Sequence, residues 1–308
     1  MSNQFAASRS AVRGKDLPGR RWRKASPLAL GVALILVLFY SIIFVIPFGV
    51  SIWLSFQNWD FIDNPVYVGL ANYGQALADP SFLHALRVTV EFSVAEIFLA
   101  VVLALLVALP LSRLKGAPQQ VLLLAYYLPV IMPVIVSILL WEWLLYLPSG
   151  GVLNALLQNL GLPTQPFLNS PTEALWCIIV MVVWSYLGNS IVLSLAGIND
   201  VPESLLEAAR LDGAGFVQQC RFIILPLLQP VLVYIVVTSV IGTVQMFEQF
   251  FLMSGPGNST RNLAVYTYQL GFQSLNLGYG AAVSLIMFLM LLIATVFQVR
   301  RFQQSLTY

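Results

Sequence analysis

The sequence predicts an all-α integral membrane protein with six transmembrane helices, and three observations predict it. Of 308 residues, 59% are apolar and only 9% charged, against about 45–50% and about 25% in soluble domains. Six separate runs reach the roughly 20 apolar residues that a spanning helix needs. Thirteen of the fifteen lysines and arginines fall on one side of the bilayer that those runs define.

The chain opens with a basic tail, residues 1–27, holding Arg9, Arg13, Lys15, Arg20, Arg21, Arg23 and Lys24. The tail is too long and the first apolar run too extended for a cleaved leader, so that run is expected to remain as a span. The domain that follows, residues 28–299, contains all six spans. They are expected at Leu28–Phe56, Leu86–Leu111, Val121–Leu147, Ala174–Gly197, Leu227–Met253 and Ala281–Val299. Pro129 and Pro133 are expected to bend the third. Residues 300–308 form a short C-terminal tail beginning Arg300-Arg301.

Basic residues set the orientation. The N-terminal tail, Arg113 and Lys115 after the second span, Arg210 and Arg221 after the fourth, and Arg300-Arg301 all map to one side, leaving Arg87 and Arg261 opposite. Both termini and the 198–226 loop are therefore expected in the cytoplasm. On the other side, residues 57–85, 148–172 and 254–280 are rich in turn formers and aromatics, reading either as plain connections or as a docking rim. Asn258-Ser259-Thr260 is formally a glycosylation sequon.

Charge and motif content exclude several classes. His84 is the single histidine, and Cys177 and Cys220 stand far apart, so neither a metal cluster nor a disulfide framework is indicated. No triad or carboxylate pair occurs at catalytic spacing, and no GxxxxGK[ST] phosphate loop is present. The chain is not expected to be an enzyme or to bind a cofactor, and nothing in it points to nucleic acid.

The 198–226 loop spends charge that the rest of the chain withholds. Asp200 is placed as an N-cap, with Pro202 and Glu203 opening a helix through ESLLEAARL. Asp212-Gly213 is a turn signal, with Gly213 free to take positive φ. A second helical stretch, AGFVQQCRFIIL, leads to Pro226. Physically this is helix, sharp bend, helix at the membrane surface, serving either as an interfacial connector or as a site where another protein's backbone approaches.

The spacing Glu207-Ala208-Ala209, Asp212-Gly213-Ala214, Ile224-Leu225-Pro226 closely resembles the EAA loop of ABC-importer permease subunits. NYGQAL (Asn72–Leu77), the order of six helices and the stretch from Phe247 to Leu285 resemble the maltose/glycerol-phosphate branch of carbohydrate permeases. Cys220, where relatives often carry an aromatic, and Glu248 with Ser254-Gly255-Pro256-Gly257, where relatives have an aromatic-Asp pair and a Gly-rich turn, depart from it. The resemblance implies an ABC type I importer permease fold in a bacterial or archaeal plasma membrane. It implies Glu207, Ala208, Ala209, Arg210, Asp212, Gly213 and Ala214 as the surface that docks on an ATPase. The implied partners are two cytoplasmic ATPase subunits that bind ATP and Mg, an extracellular solute-binding protein, a second permease of different sequence, and lipid. Because the chain ends soon after Arg301, it resembles the first permease of the usual pair.

Polar residues inside spans are the pathway candidates, because an ionisable group in lipid is costly and normally faces the bundle interior. Glu142 with Trp141 and Tyr146, Asn189, Gln245 and Glu248 are singled out, since carboxylates accept sugar hydroxyls and rings cover a sugar's apolar face. Each has a plainer reading: Trp141, Trp143 and Tyr146 as interfacial anchors, Asn189 as a bond between helices, Glu91 at headgroup depth. The alternatives are an ABC permease for a non-sugar solute, an ion-gradient transporter using Glu96 and Glu248, and a scaffold that moves no solute.

Overall fold

The computed structural model describes residues 27–305; the basic tail up to residue 26 and residues 306–308 lie outside the described residues. The described residues divide into two units, one ending at Val50 and the other starting at Ser51. α1 (Pro27–Tyr40) runs through a π-helical turn (Ser41–Val45) into α2 (Ile46–Ser55), which holds the division between the units. Together they supply one helix, Leu30–Ser55, long and apolar enough to cross a membrane. Pro47 explains the widened turn: it lacks an N–H and its ring crowds the carbonyl four residues back, so the preceding turn opens to an i→i−5 bond, Ile46 N–H to Ser41 O.

After α2 the second unit continues with a two-stranded antiparallel ribbon, β1 (Gln57–Asn58) against β2 (Val66–Tyr67). A short α3 (Ala71–Ala78) and then α4 (Pro80–Leu111) follow. Asp79 caps α4 by accepting from the Ser81 N–H at 2.8 Å, with Pro80 at the first helical position. The same carboxylate accepts the Tyr279 hydroxyl at 2.8 Å and the Tyr266 hydroxyl. Burial raises the Asp79 carboxyl, but the two tyrosines and the Ser81 and Phe82 N–H groups outweigh it, so the net effect holds it below the ordinary carboxylate range. A depressed carboxyl stabilises the fold above its ordinary range and loses that contribution as pH falls. Asp79→Asn is expected to cost about 1–2 kcal/mol, since hydrogen bonds to a charged group are strong and partial exposure weakens them. Melting in detergent should show the deficit at neutral pH and a shrinking gap on acidification.

The third span differs from its expected form. Instead of one helix over Val121–Leu147, α5 (Ala117–Ile131) and α6 (Val134–Leu139, continued by a π-helical turn Leu140–Leu145) meet at 96°. Pro133 is the cause: its ring expels Met132 from the helical region to φ −72°, ψ 136°. By length and composition the described residues contain five spanning helices, or six when this bent pair counts as one.

A short α7 (Val152–Asn159) precedes α8 (Ala174–Asn199), the fourth span. α8 is the most buried spanning helix, packed against α4 and α5. The loop beyond it holds α9 (Glu203–Leu211) and α10 (Phe216–Gln219). Asp200 is not the N-cap expected of it: Pro202 takes that position in extended conformation, and Asp200 instead ends α8. From α10 the helix continues through a π-helical turn (Cys220–Ile224) into α11 (Leu225–Val244). The turn again precedes a proline, Pro226, and leaves no loop at the expected mouth of the fifth span.

The fifth span also ends early. The apolar run predicts a helix to Met253, but α11 stops at Val244, and α12 (Glu248–Leu252) follows a break at Gln245–Phe247. The Asn262 amide donates to the Met246 carbonyl at 2.6 Å, satisfying an acceptor that the break frees. α13 (Leu263–Tyr268) and α14 (Leu277–Ser305) complete the chain, α14 starting earlier than the expected Ala281. Three buried clusters hold the unit: one around Phe92, Ile178, Met181 and Phe250, one around Ala108, Ile191 and Leu228, one around Phe82, Leu263 and Tyr279. Cys177 and Cys220 are both free and buried.

Candidate functional site

Two places concentrate exposed polar groups, and they lie near opposite ends of one helix. The first is the bend between α9 and α10. Gly213 has φ +81°. The Ala214 N–H donates to Ala209 O at 2.8 Å and the Gly213 N–H to Arg210 O at 3.1 Å. That is a Schellman motif with glycine at the residue after the cap, where any Cβ would be strained. The next helix is locked at once: the Gln218 side chain accepts the Gly215 N–H at 2.7 Å, and the Gln219 amide donates to Ala214 O at 2.8 Å. From the loop after α4, the Arg113 guanidinium lies 3.5 Å from the centre of the Phe216 ring, a close cation–π contact that ties the bend to the bundle.

On this rigid bend, Glu207, Ala208, Arg210, Asp212 and Gly213 are exposed, and Ala209 and Ala214 half-buried. Leu211 is 90%, Val217 76% and Phe222 68% exposed. A cluster of large apolar side chains beside free carboxylates and a guanidinium suits contact with another protein better than contact with water.

The second place is a groove of about 390 Å³ between α8, α11 and the start of α12, with Glu96 of α4 also lining it. Tyr186, Asn189 and Leu193 share one face of α8 at helical spacing. Thr238, Ser239, Gly242 and Thr243 line it from α11, and Gln245, Glu248 and Gln249 from the break beyond. Asn189, Gln245 and Glu248 are exposed, whereas Glu96 is 4% and Gln249 2% exposed. Glu96 Oε2 and Gln249 Oε1 have no hydrogen-bond partner. The Gln249 amide reaches only the Tyr186 hydroxyl, at 3.5 Å.

The structure therefore brings Asn189, Gln245 and Glu248 together and sets the other pathway candidates elsewhere. Tyr146 is buried, donating its hydroxyl to Cys177 O at 3.1 Å, and packs on Trp141 and Phe167 at ring separations of 5.4 and 5.1 Å. Trp141 also meets Trp184 at 5.6 Å. Glu142, on the π-helical turn beside them, is half-buried and does not line the groove. Tyr186 and Gln249 are groove residues that the sequence reading does not single out, whereas Glu96 enters it as a mid-span carboxyl and as an ion site of the gradient-driven alternative. A carboxylate in mid-span marks Glu96 in the sequence, but only the packing of α4 against α8 and α11 directs it to this groove.

Known proteins resemble the chain over most of its length. The family model described as binding-protein-dependent transport system inner membrane component matches residues 100–306. The trehalose/maltose transport system permease protein MalF of Thermococcus litoralis is 33% identical over 287 residues, covering 90% of this chain and 95% of that protein. The arabinooligosaccharides transport system permease protein AraP of Bacillus subtilis is 29% identical over 268 residues, covering 86% and 85%. A crystal structure of a bacterial ABC transporter involved in the import of the acidic polysaccharide alginate superposes with a TM-score of 0.80 at 21% identity, covering 90% and 95%; that similarity is one of fold.

Proposed function

Because the chain belongs to the inner membrane components of binding-protein-dependent transport systems, we propose that its α8–α11 groove is one wall of the pathway for a carbohydrate. The observation that carries this reading is the exposed polar strip Tyr186, Asn189, Thr238, Gln245 and Glu248 on or beside spanning helices. Hydrocarbon cannot solvate such groups, so they must face water or another protein. A second permease closing over the strip would leave a polar passage between two chains. The relatives named for trehalose/maltose and for arabinooligosaccharides favour a sugar as cargo. Hydroxyl-rich solutes suit a wall of amides, hydroxyls and carboxylates.

The bend at Gly213 is the proposed contact to the ATPase. Glu207, Arg210 and Asp212 supply the polar contacts and Leu211 and Val217 the apolar ones, on the side that the basic residues assign to the cytoplasm. Two ATPase subunits would bind ATP and Mg, an extracellular solute-binding protein would deliver cargo, and both termini would be cytoplasmic. Family membership favours this arrangement over a self-sufficient ion-gradient transporter. Trp141 and Tyr146 enter it as positioning residues: their rings brace the end of α6 against α8.

The reading is tested by purifying the tagged chain from its native membrane in mild detergent and identifying what remains bound. An ATPase and a second multi-span chain are expected, and Gln245→Ala with Asn189→Ala should lower sugar uptake in the reconstituted assembly by about tenfold, the scale of two lost polar contacts. A chain that purifies alone and stable, or uptake unmoved by both changes, would overturn it.

A further inference from the structure

We infer that this wall selects against anionic cargo: it carries an exposed carboxylate and holds no positive charge, so the solute it passes is a neutral or amino-bearing saccharide and not a uronate or phosphorylated sugar. The inference rests on the α8–α11 groove being the pathway and adds the cargo's charge class to it.

Three features of the groove carry the inference. No lysine, arginine or histidine among the described residues lines it, whereas Glu96 and Glu248 both do. Two of its acceptors are buried and unused: Glu96 Oε2 and Gln249 Oε1 have no partner, and their residues are 4% and 2% exposed. Both atoms lie behind the groove surface, so they add acceptor character to the wall and offer an anion no donor. Finally, the hydroxyls of Thr238 and Thr243 are already committed as donors, to Tyr234 O at 2.8 Å and Ser239 O at 2.8 Å.

A phosphate or carboxylate here would meet the exposed Glu248 carboxylate and no counter-charge. Like charges close together repel, and an unpaired anion taken from water carries a heavy desolvation cost. A sugar hydroxyl or an ammonium group instead finds an acceptor in the exposed Glu248 carboxylate. Bidentate guanidinium recognition, which planar anions favour, is absent from this face among the described residues.

The test is saturation-transfer-difference NMR on the complete importer in nanodiscs of zwitterionic lipid, without the solute-binding protein, so that only the transporter discriminates. The probes are maltotriose, the glucosamine trisaccharide and trigalacturonate. Maltotriose and the amino sugar are expected to give difference signals in the unaltered protein, and trigalacturonate none. Glu248→Lys should bring trigalacturonate in, with signal roughly five- to tenfold above the unaltered protein, the scale of one unit-charge contact in a watery groove. Trigalacturonate as strong as maltotriose in the unaltered protein, or still silent with Glu248→Lys, overturns the selectivity and leaves the carbohydrate reading standing. Silence from all three sugars on an intact assembly overturns the carbohydrate reading, and this inference with it.

Discussion

Gly213→Pro is expected to reduce uptake to background while the chain still inserts and assembles. Gly213 sits at φ +81° and donates its N–H to Arg210 O at 3.1 Å. Proline fixes φ near −65° and has no N–H, so it removes both conditions of the bend at once. The Ala214 to Ala209 bond depends on the same reversal and is lost with it. The spanning helices contain none of these atoms, so membrane level should hold. Gly213→Ala separates strain from breakage: a side chain at positive φ costs about 1–2 kcal/mol, and partial uptake should survive. Uptake and ATP hydrolysis measured together in proteoliposomes give the answer. Hydrolysis that persists without uptake is the expected result for the proline variant, and unaltered uptake would remove the bend from the coupling path.

Gly188→Val is expected to have the largest effect on the fold itself. A Cβ at Gly188 would lie 2.5 Å from Tyr126 O, 2.9 Å from Val130 Cγ2 and 3.0 Å from Tyr127 Cα. Two of those atoms are backbone, so no rotamer change relieves the overlap, and α5 and α8 must separate. Close approach through small residues is the main source of attraction between helices in lipid. Overpacking of this kind costs about 1–3 kcal/mol before the lost contacts are added. A lower detergent melting temperature and less protein in the membrane should follow. Gly242→Val is the control, because a Cβ there meets nothing within 4 Å. Its fold should be unaffected, and equal melting of the two variants would refute the packing account.

The sequence makes some of these features readable and hides others for physical reasons. Asp212-Gly213 announces a left-handed residue because few other pairs tolerate one, and the bend is where the dipeptide puts it. Pro133 announces a bend in the third span, but its 96° angle follows from how α5 and α6 pack on α8, which no local signal contains. The break after Val244 carries no breaker signal: residues 244–247 include neither glycine nor proline, and Gln245, Glu248 and Gln249 read equally as polar positions inside a continuing span. The helix ends there because Asn262, sixteen residues away, satisfies the Met246 carbonyl. Trp141 and Tyr146 lie at the end of an apolar run, where an aromatic reads equally as interfacial anchor or core. Only the contacts with Cys177, Phe167 and Trp184 turn them inward.

The uninterrupted helix from Phe216 to Val244 has a mechanical consequence. Its 29 residues make a rod of about 43 Å at 1.5 Å per residue. The Gly213 bend is attached at one end, and Gln245 and Glu248 at the other. Pivoted at mid-membrane, a tilt of about 5° carries each end of such a rod about 2 Å in opposite directions. The proposed ATPase contact and the groove are then the two arms of a seesaw of near-equal length. Seating the bend and widening the groove become one degree of freedom, with neither able to move first.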